Sequence, residues 1–241
     1  MSKLRVRKLL AEAVEGHGFT QRGDAFFRVK GDGVLQVLKF EYERSLCGFC
    51  LDVGLFSMYG ELRRSWFTSS GCIPRYPVAS FVGKSPFGVI FLDSNSVSFD
   101  MFSPSSQIQI LKDSVLPILD NAQDQKQLVS LICQLDVARW HTVRWNDFEK
   151  FAPYLKSRDI ESAEKVIKRI LSLYCRLPTD SDDALRQYLF SNSVDSMDEE
   201  KRALVLKLAM VQKKDWNEIN NYLCENFERN SGFASFCISS K

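Results

Sequence analysis

Histidine is scarce in this chain, and the familiar catalytic signatures are missing from it. Two histidines among 241 residues leave imidazole-based acid–base chemistry few options. No phosphate-cradling glycine loop, nucleophile elbow or metalloprotease helix motif occurs, so the enzyme classes they mark lack support. No run approaches the roughly 18 apolar residues that a membrane span needs. An excess of one charge is lacking too. The 32 basic and 30 acidic residues leave a net +2, too little for a broad nucleic-acid-binding face. The basic start Lys3-Leu4-Arg5-Val6-Arg7-Lys8 runs into Glu12 and Glu15, which interrupt any secretory h-region. Seven cysteines, an odd number spread along the chain, fit reduced thiols better than a disulfide framework. These absences predict a soluble cytoplasmic protein with no nucleic-acid or membrane partner, no metal and no cofactor.

What is present is a change of periodicity. Residues 3–15 place Val6, Leu9, Leu10, Ala13 and Val14 on one helical face, with Gly16-His17-Gly18 as a stop. The segment 24–43 reads as a hairpin turned at Gly31-Asp32-Gly33. In its second strand Val34, Gln36, Leu38, Phe40 and Tyr42 share one side, and Phe49, Leu51, Val53 and Leu55 form the inward side of a third strand. Residues 71–88 are rich in glycine and proline and read as an irregular surface loop, with Arg75 and Tyr76 as contact candidates. Segments 87–92 and 97–102 would complete a sheet of about five strands. From Ser103-Pro104, a helix cap with proline at the first position, the pattern is helical to about residue 229. Helices are predicted at 104–119, 124–135, 146–156, 160–175, 182–190, 198–212 and 215–229. The expected fold is therefore α+β, with an antiparallel-sheet domain over 1–138 and a helical extension over 139–241.

An internal repeat lies in that extension. Tyr154-Leu155-Lys156-Ser157-Arg158-Asp159-Ile160 aligns with Met210-Val211-Gln212-Lys213-Lys214-Asp215-Trp216, each a helix end, a basic turn and a capping Asp. Stacked hairpins of tetratricopeptide type, or two unrelated hairpins with common cap chemistry, both fit this register.

The order helix, Gly18-Phe19, Gly23, Phe26-Phe27-Arg28, Leu35-Gln36-Val37, Phe40, Gly54-Leu55 and the later Leu116-Pro117-Ile118-Leu119-Asp120 resembles a bacterial domain-of-unknown-function family over about residues 3–135. The resemblance implies a helix, an antiparallel sheet and a closing helix. By analogy with small α+β domains it also suggests an immunity or accessory protein of a toxin system.

Candidate chemistry is sparse. Cys47-Gly48-Phe49-Cys50 has the spacing of a redox pair or half a metal site, but the pair enters a strand rather than a helix N-terminus, and inert thiols are the simpler reading. His141, within Trp140-His141-Thr142-Val143-Arg144-Trp145, reads as a packed hinge or as a contact cluster with Trp140 and Arg144. Asp180-Ser181-Asp182-Asp183 lacks the glycine and glutamate of a cation loop and suits a helix start. The leading expectation is a non-enzymatic protein-interaction module with Arg28, Arg75, Tyr76, Trp140, His141 and Arg144 as interaction candidates. The alternatives are an enzyme with a site between the two halves, drawing on Arg28, Asp52 or His141, and a thiol redox protein using Cys47 and Cys50.

Overall fold

Local punctuation sets where the elements begin and turn. The computed structural model describes residues 3–43, 48–62, 75–82, 103–137, 143–179 and 197–238, together with 181, 183–185 and 187. Helix α1 (Lys3–Ala13) buries Val6, Leu10 and Ala13 at helical spacing and ends in a turn whose Gly16 and Gly18 have positive φ. Strand β1 (Thr20–Arg22) joins β2 (Ala25–Lys30) through Gly23-Asp24. Gly23, at φ 58°, is the positive-φ first residue of a type II′ turn. Strands β3 (Val34–Glu43), β4 (Gly48–Ser57) and β5 (Arg75–Pro77) follow in antiparallel order β1-β2-β3-β4-β5. The predicted α+β class with an antiparallel sheet is the class observed. Among the described residues its edge strands are the short β1 and β5. Segments 87–92 and 97–102 lie outside the described residues. Arg75-Tyr76-Pro77, expected in a surface loop, forms β5 by pairing with Asp52 to Gly54.

Both faces of this sheet are covered. On the first, Phe26, Val34, Leu38, Leu51, Val53 and Leu55 pack against α1 and the helices that follow Ser103. These are α2 (Pro104–Ile110), a π-helical stretch Leu111–Val115, α3 (Leu116–Asn121) and α4 (Gln125–Val137). Ser103 caps α2 as expected, its hydroxyl accepting from the Ser106 N–H at 3.1 Å. The π-helical stretch has a local cause. Pro117 offers no N–H to the Asp113 carbonyl, and the Leu116 N–H reaches back to Leu111 instead. On the second face Ala25, Phe27, Leu35, Val37 and Phe56 pack with Phe227 and Ala234 of the last helix.

Most of the rest of the described chain forms α5 (Val143–Lys156), α6 (Ile160–Cys175), α7 (Glu199–Lys213) and α8 (Trp216–Ile238). The two aligned junctions have the same local geometry. Arg158 (φ 62°) and Lys214 (φ 53°) each end a helix in the left-handed conformation, their N–H groups bonding the Leu155 and Val211 carbonyls. Asp159 and Asp215 then cap the next helix. The matched positions Ala163 and Ile219, and Ile167 and Leu223, are all buried in the helical core. Helix α8 belongs to two cores. Its first half contributes Ile219 and Leu223 to the helical one, and its second half places Phe227 and Ala234 on the sheet. Among the described residues no helix is long and apolar enough to cross a membrane.

Candidate functional site

Of the residues singled out by sequence, Arg28 acquires the most structure. Its side chain is only 3% exposed, projecting from β2 onto the α1 face of the sheet. Nε donates to Gln36 Oε1 at 2.7 Å, and Nη1 donates to the His17 carbonyl at 2.6 Å and to Asp120 Oδ1 at 2.5 Å. Among the described residues Nη2 has no hydrogen-bond partner, but the guanidinium lies 4.2 Å from the centre of the Phe19 ring, which covers it as a cation–π face. Gln36 donates onward to the Leu119 and Ala122 carbonyls at 2.8 and 3.3 Å. Those carbonyls lie at the end of α3, where the Leu119 carbonyl also accepts from the Ala122 N–H at 3.2 Å, so a buried glutamine in an apolar strand is explained as a helix cap. His17 Nδ1 meets the other Asp120 oxygen at 2.9 Å, and Lys30 lies 3.8 Å from Asp120 Oδ1.

The electrostatics follow from that geometry. Burial pushes the Asp120 carboxyl up, but hydrogen bonds and charge from Arg28 and His17 outweigh it and hold it below the usual carboxylate range. Burial draws the Arg28 guanidinium below its ordinary value, against the opposing pull of Asp120. Among the described residues the His17 ring makes its hydrogen bond through Nδ1 to Asp120. The cluster is a clasp: it ties the turn carrying His17 and Phe19 to the end of α3.

That turn forms part of a groove. Between α1 and β1 run two adjoining open hollows. One is lined by Leu4, Arg5, Arg7, Lys8, Ala11 and Gln21, and the other by Ala11, Glu12, Val14, Glu15, Gly16, Gly18, Phe19, Gln21 and Phe26. They share Ala11 and Gln21. The wall is therefore basic at the start of α1 and acidic at its end, over an apolar floor of Phe19 and Phe26. Arg7 bonds Asp24, which fixes α1 to the β1–β2 turn. Among the described residues β1 has a neighbouring strand on one side only. Because Arg22 and Ala25 close a two-residue turn, Gln21 directs its backbone N–H and C=O toward the open side.

The other candidates disperse. Tyr76 is 1% exposed and belongs to the core of the sheet, so its ring is a packing element and not a surface contact. Arg75 pairs with Gly54 through the backbone, and its side chain, like that of Arg144, lies outside the described residues. Trp140, His141 and Cys47 also lie outside them. Cys50 is half-buried on β4. Asp52 faces the side of the sheet opposite to Arg28: it pairs with Lys39 in a register that puts Gln36, the partner of Arg28, on the other face. Those two residues cannot serve one site. Among the described residues no three His, Cys, Asp or Glu side chains converge as a metal ion requires.

One cluster escaped the sequence reading. At the β2–β3 turn the Tyr59 hydroxyl donates to Asp32 at 2.7 Å, and Lys156 at the end of α5 sits 4.3 Å over the Tyr59 ring. Burial and the bond to Asp32 push the Tyr59 phenol up. Lys156 is also held above its ordinary value, because Tyr59 and Asp32 outweigh the effect of burial. The cluster joins the sheet to the helical half. No local sequence signal marks it, since its members come from three separate segments.

Comparison with known protein families, with curated proteins and with solved structures finds no match to this chain.

Proposed function

We propose that the protein is a non-enzymatic protein-interaction module whose binding face is the groove between α1 and β1. The observation that carries this reading is the groove itself: an apolar floor beside a strand edge, with charges of both signs on its wall. Such a surface has the make-up of a protein-binding patch, apolar at the centre and polar at the rim. The internal engagement of Arg28 and His17 supports the same reading, because the clasp shapes the rim instead of presenting reactive groups. An inhibitory binder of immunity type, acting through surface complementarity, is the form suggested by the family resemblance.

The test is affinity capture from the protein's own cells, using tagged wild type and a Leu4→Asp variant. Leu4 is 73% exposed, so the change leaves the core intact. A stoichiometric partner held by wild type and lost with Leu4→Asp is the expected result. An identical set of captured proteins for both baits removes the groove from the reading. No partner at all, including an untagged copy of the chain, removes the module.

A further inference from the structure

The geometry points to a second copy of this chain as the occupant of the groove, α1 lying against α1 in antiparallel register about a two-fold axis. The inference rests on the interaction-module reading above. A two-fold interface must be its own complement, because each surface meets an identical one.

The exposed stripe of α1 and of the turn that follows it meets that requirement. Leu4, Lys8, Ala11 and Glu15 follow one another at spacings of four, three and four along the groove wall, the spacing of the seam between two packed helices. They lie away from the buried positions Val6, Leu10 and Ala13. The charge order is basic first, at Arg7 and Lys8, and acidic last, at Glu12 and Glu15. Reversed, that order complements itself. An antiparallel pair sets Lys8 beside Glu12 and Glu15 of the second copy, whereas a parallel pair would set Lys8 against Lys8. The rise from Leu4 to Ala11 is about 10 Å at the usual helical advance, and Glu15 follows in the turn after Ala13. With the two-fold axis midway between Lys8 and Ala11, Leu4 faces the turn that carries Glu15 of the second copy, at the mouth of the hollow floored by Phe19 and Phe26. The most exposed large apolar side chain described thereby reaches apolar surface. Gln21, on the opposite wall of both hollows, closes the groove behind the incoming helix.

The charges also supply the test. Sedimentation equilibrium of the full chain over a concentration series is compared for wild type, Lys8→Glu, the double variant Glu12→Lys with Glu15→Lys, and an equimolar mixture of the two variants. Thermal melts establish that each variant is folded. Wild type should self-associate, and each variant alone should weaken that association at least about tenfold, since two symmetric charge contacts become repulsive. The mixture should restore a dimer, because both contacts become complementary again. Wild type that stays monomeric to about 100 μM, a concentration at which weak functional dimers still form, overturns the inference. So does a dimer indifferent to all the variants. If wild type is monomeric but Leu4→Asp still releases a captured protein, the interaction-module reading stands and only the self-pairing fails.

Discussion

Arg28 illustrates how a single polar residue can be spent on architecture. A buried cation is tolerated only when its hydrogen bonds and charge are met inside the protein, and here Gln36, Asp120, the His17 carbonyl and the Phe19 ring meet them. Arg28→Met keeps the length of the side chain and deletes these bonds. It should cost about 2 to 3 kcal/mol, read as a lowered urea midpoint at unchanged slope. An unshifted midpoint would mean that the clasp is idle. Asp120 adds a pH signature. Its carboxyl titrates lower in the folded chain than in the unfolded one, so in that interval the unfolded state binds more protons and stability rises with pH. The contribution is complete above the ordinary carboxylate value of about 4 and is lost as pH falls through the depressed folded value. Asp120→Asn should flatten the acid limb of stability against pH while leaving its shape near neutrality unchanged.

Among the elements, the β2–β3 hairpin depends most on one small residue. Gly31 has φ 41°, and a Cβ built there would stand 2.1 Å from the Gln123 carbonyl oxygen. The Asp32 N–H bonds that same carbonyl at 2.7 Å, so the hairpin tip is pressed against the start of α4. Gly31→Ala combines backbone strain with a backbone clash and should destabilise by about 2 kcal/mol or more. Differential scanning calorimetry would show it as a lowered Tm, and an unchanged Tm would contradict the close approach. The composition Gly31-Asp32-Gly33 announces a turn, but the sequence carries no hint that Gln123 seals it. The helices are more legible. Ser103, Asp159, Asp198 and Asp215 all accept N-terminal amide hydrogens of the helices they precede, as their side-chain chemistry predicts.

At the scale of the molecule, α8 joins the two halves beside the Tyr59–Asp32–Lys156 cluster. Asn230, 3% exposed, donates to the Met58 and Gly60 carbonyls at 2.8 and 2.7 Å and fastens the helix to the end of β4. Asn230→Ala should cost about 2 kcal/mol by leaving a buried carbonyl without its partner. Because α8 also fills the helical core, tryptophan fluorescence and far-ultraviolet circular dichroism should shift together to a lower urea midpoint. Separate shifts in the two signals would mean that the cores unfold independently. This double role was readable only in part. The run Ala25-Phe26-Phe27 and the pair Val34-Leu35 are apolar on both sides of their strands, the mark of a sheet covered on two faces. Nothing in them says which helix does the covering.

The amino-acid order by itself determined the class, most helix boundaries, the turn of the β2–β3 hairpin and the α1-facing sides of β3 and β4. These follow from interactions within one helical turn or one strand repeat, where side-chain period and cap chemistry act locally. Tertiary structure alone decided that Arg28 meets Asp120 across 92 positions, that His17 meets it across 103 and that Asn230 meets Met58 across 172. It also turned Tyr76 inward and opened the groove beside α1. Contacts over such separations arise from how whole faces pack, and a residue's neighbours along the chain carry no record of that packing.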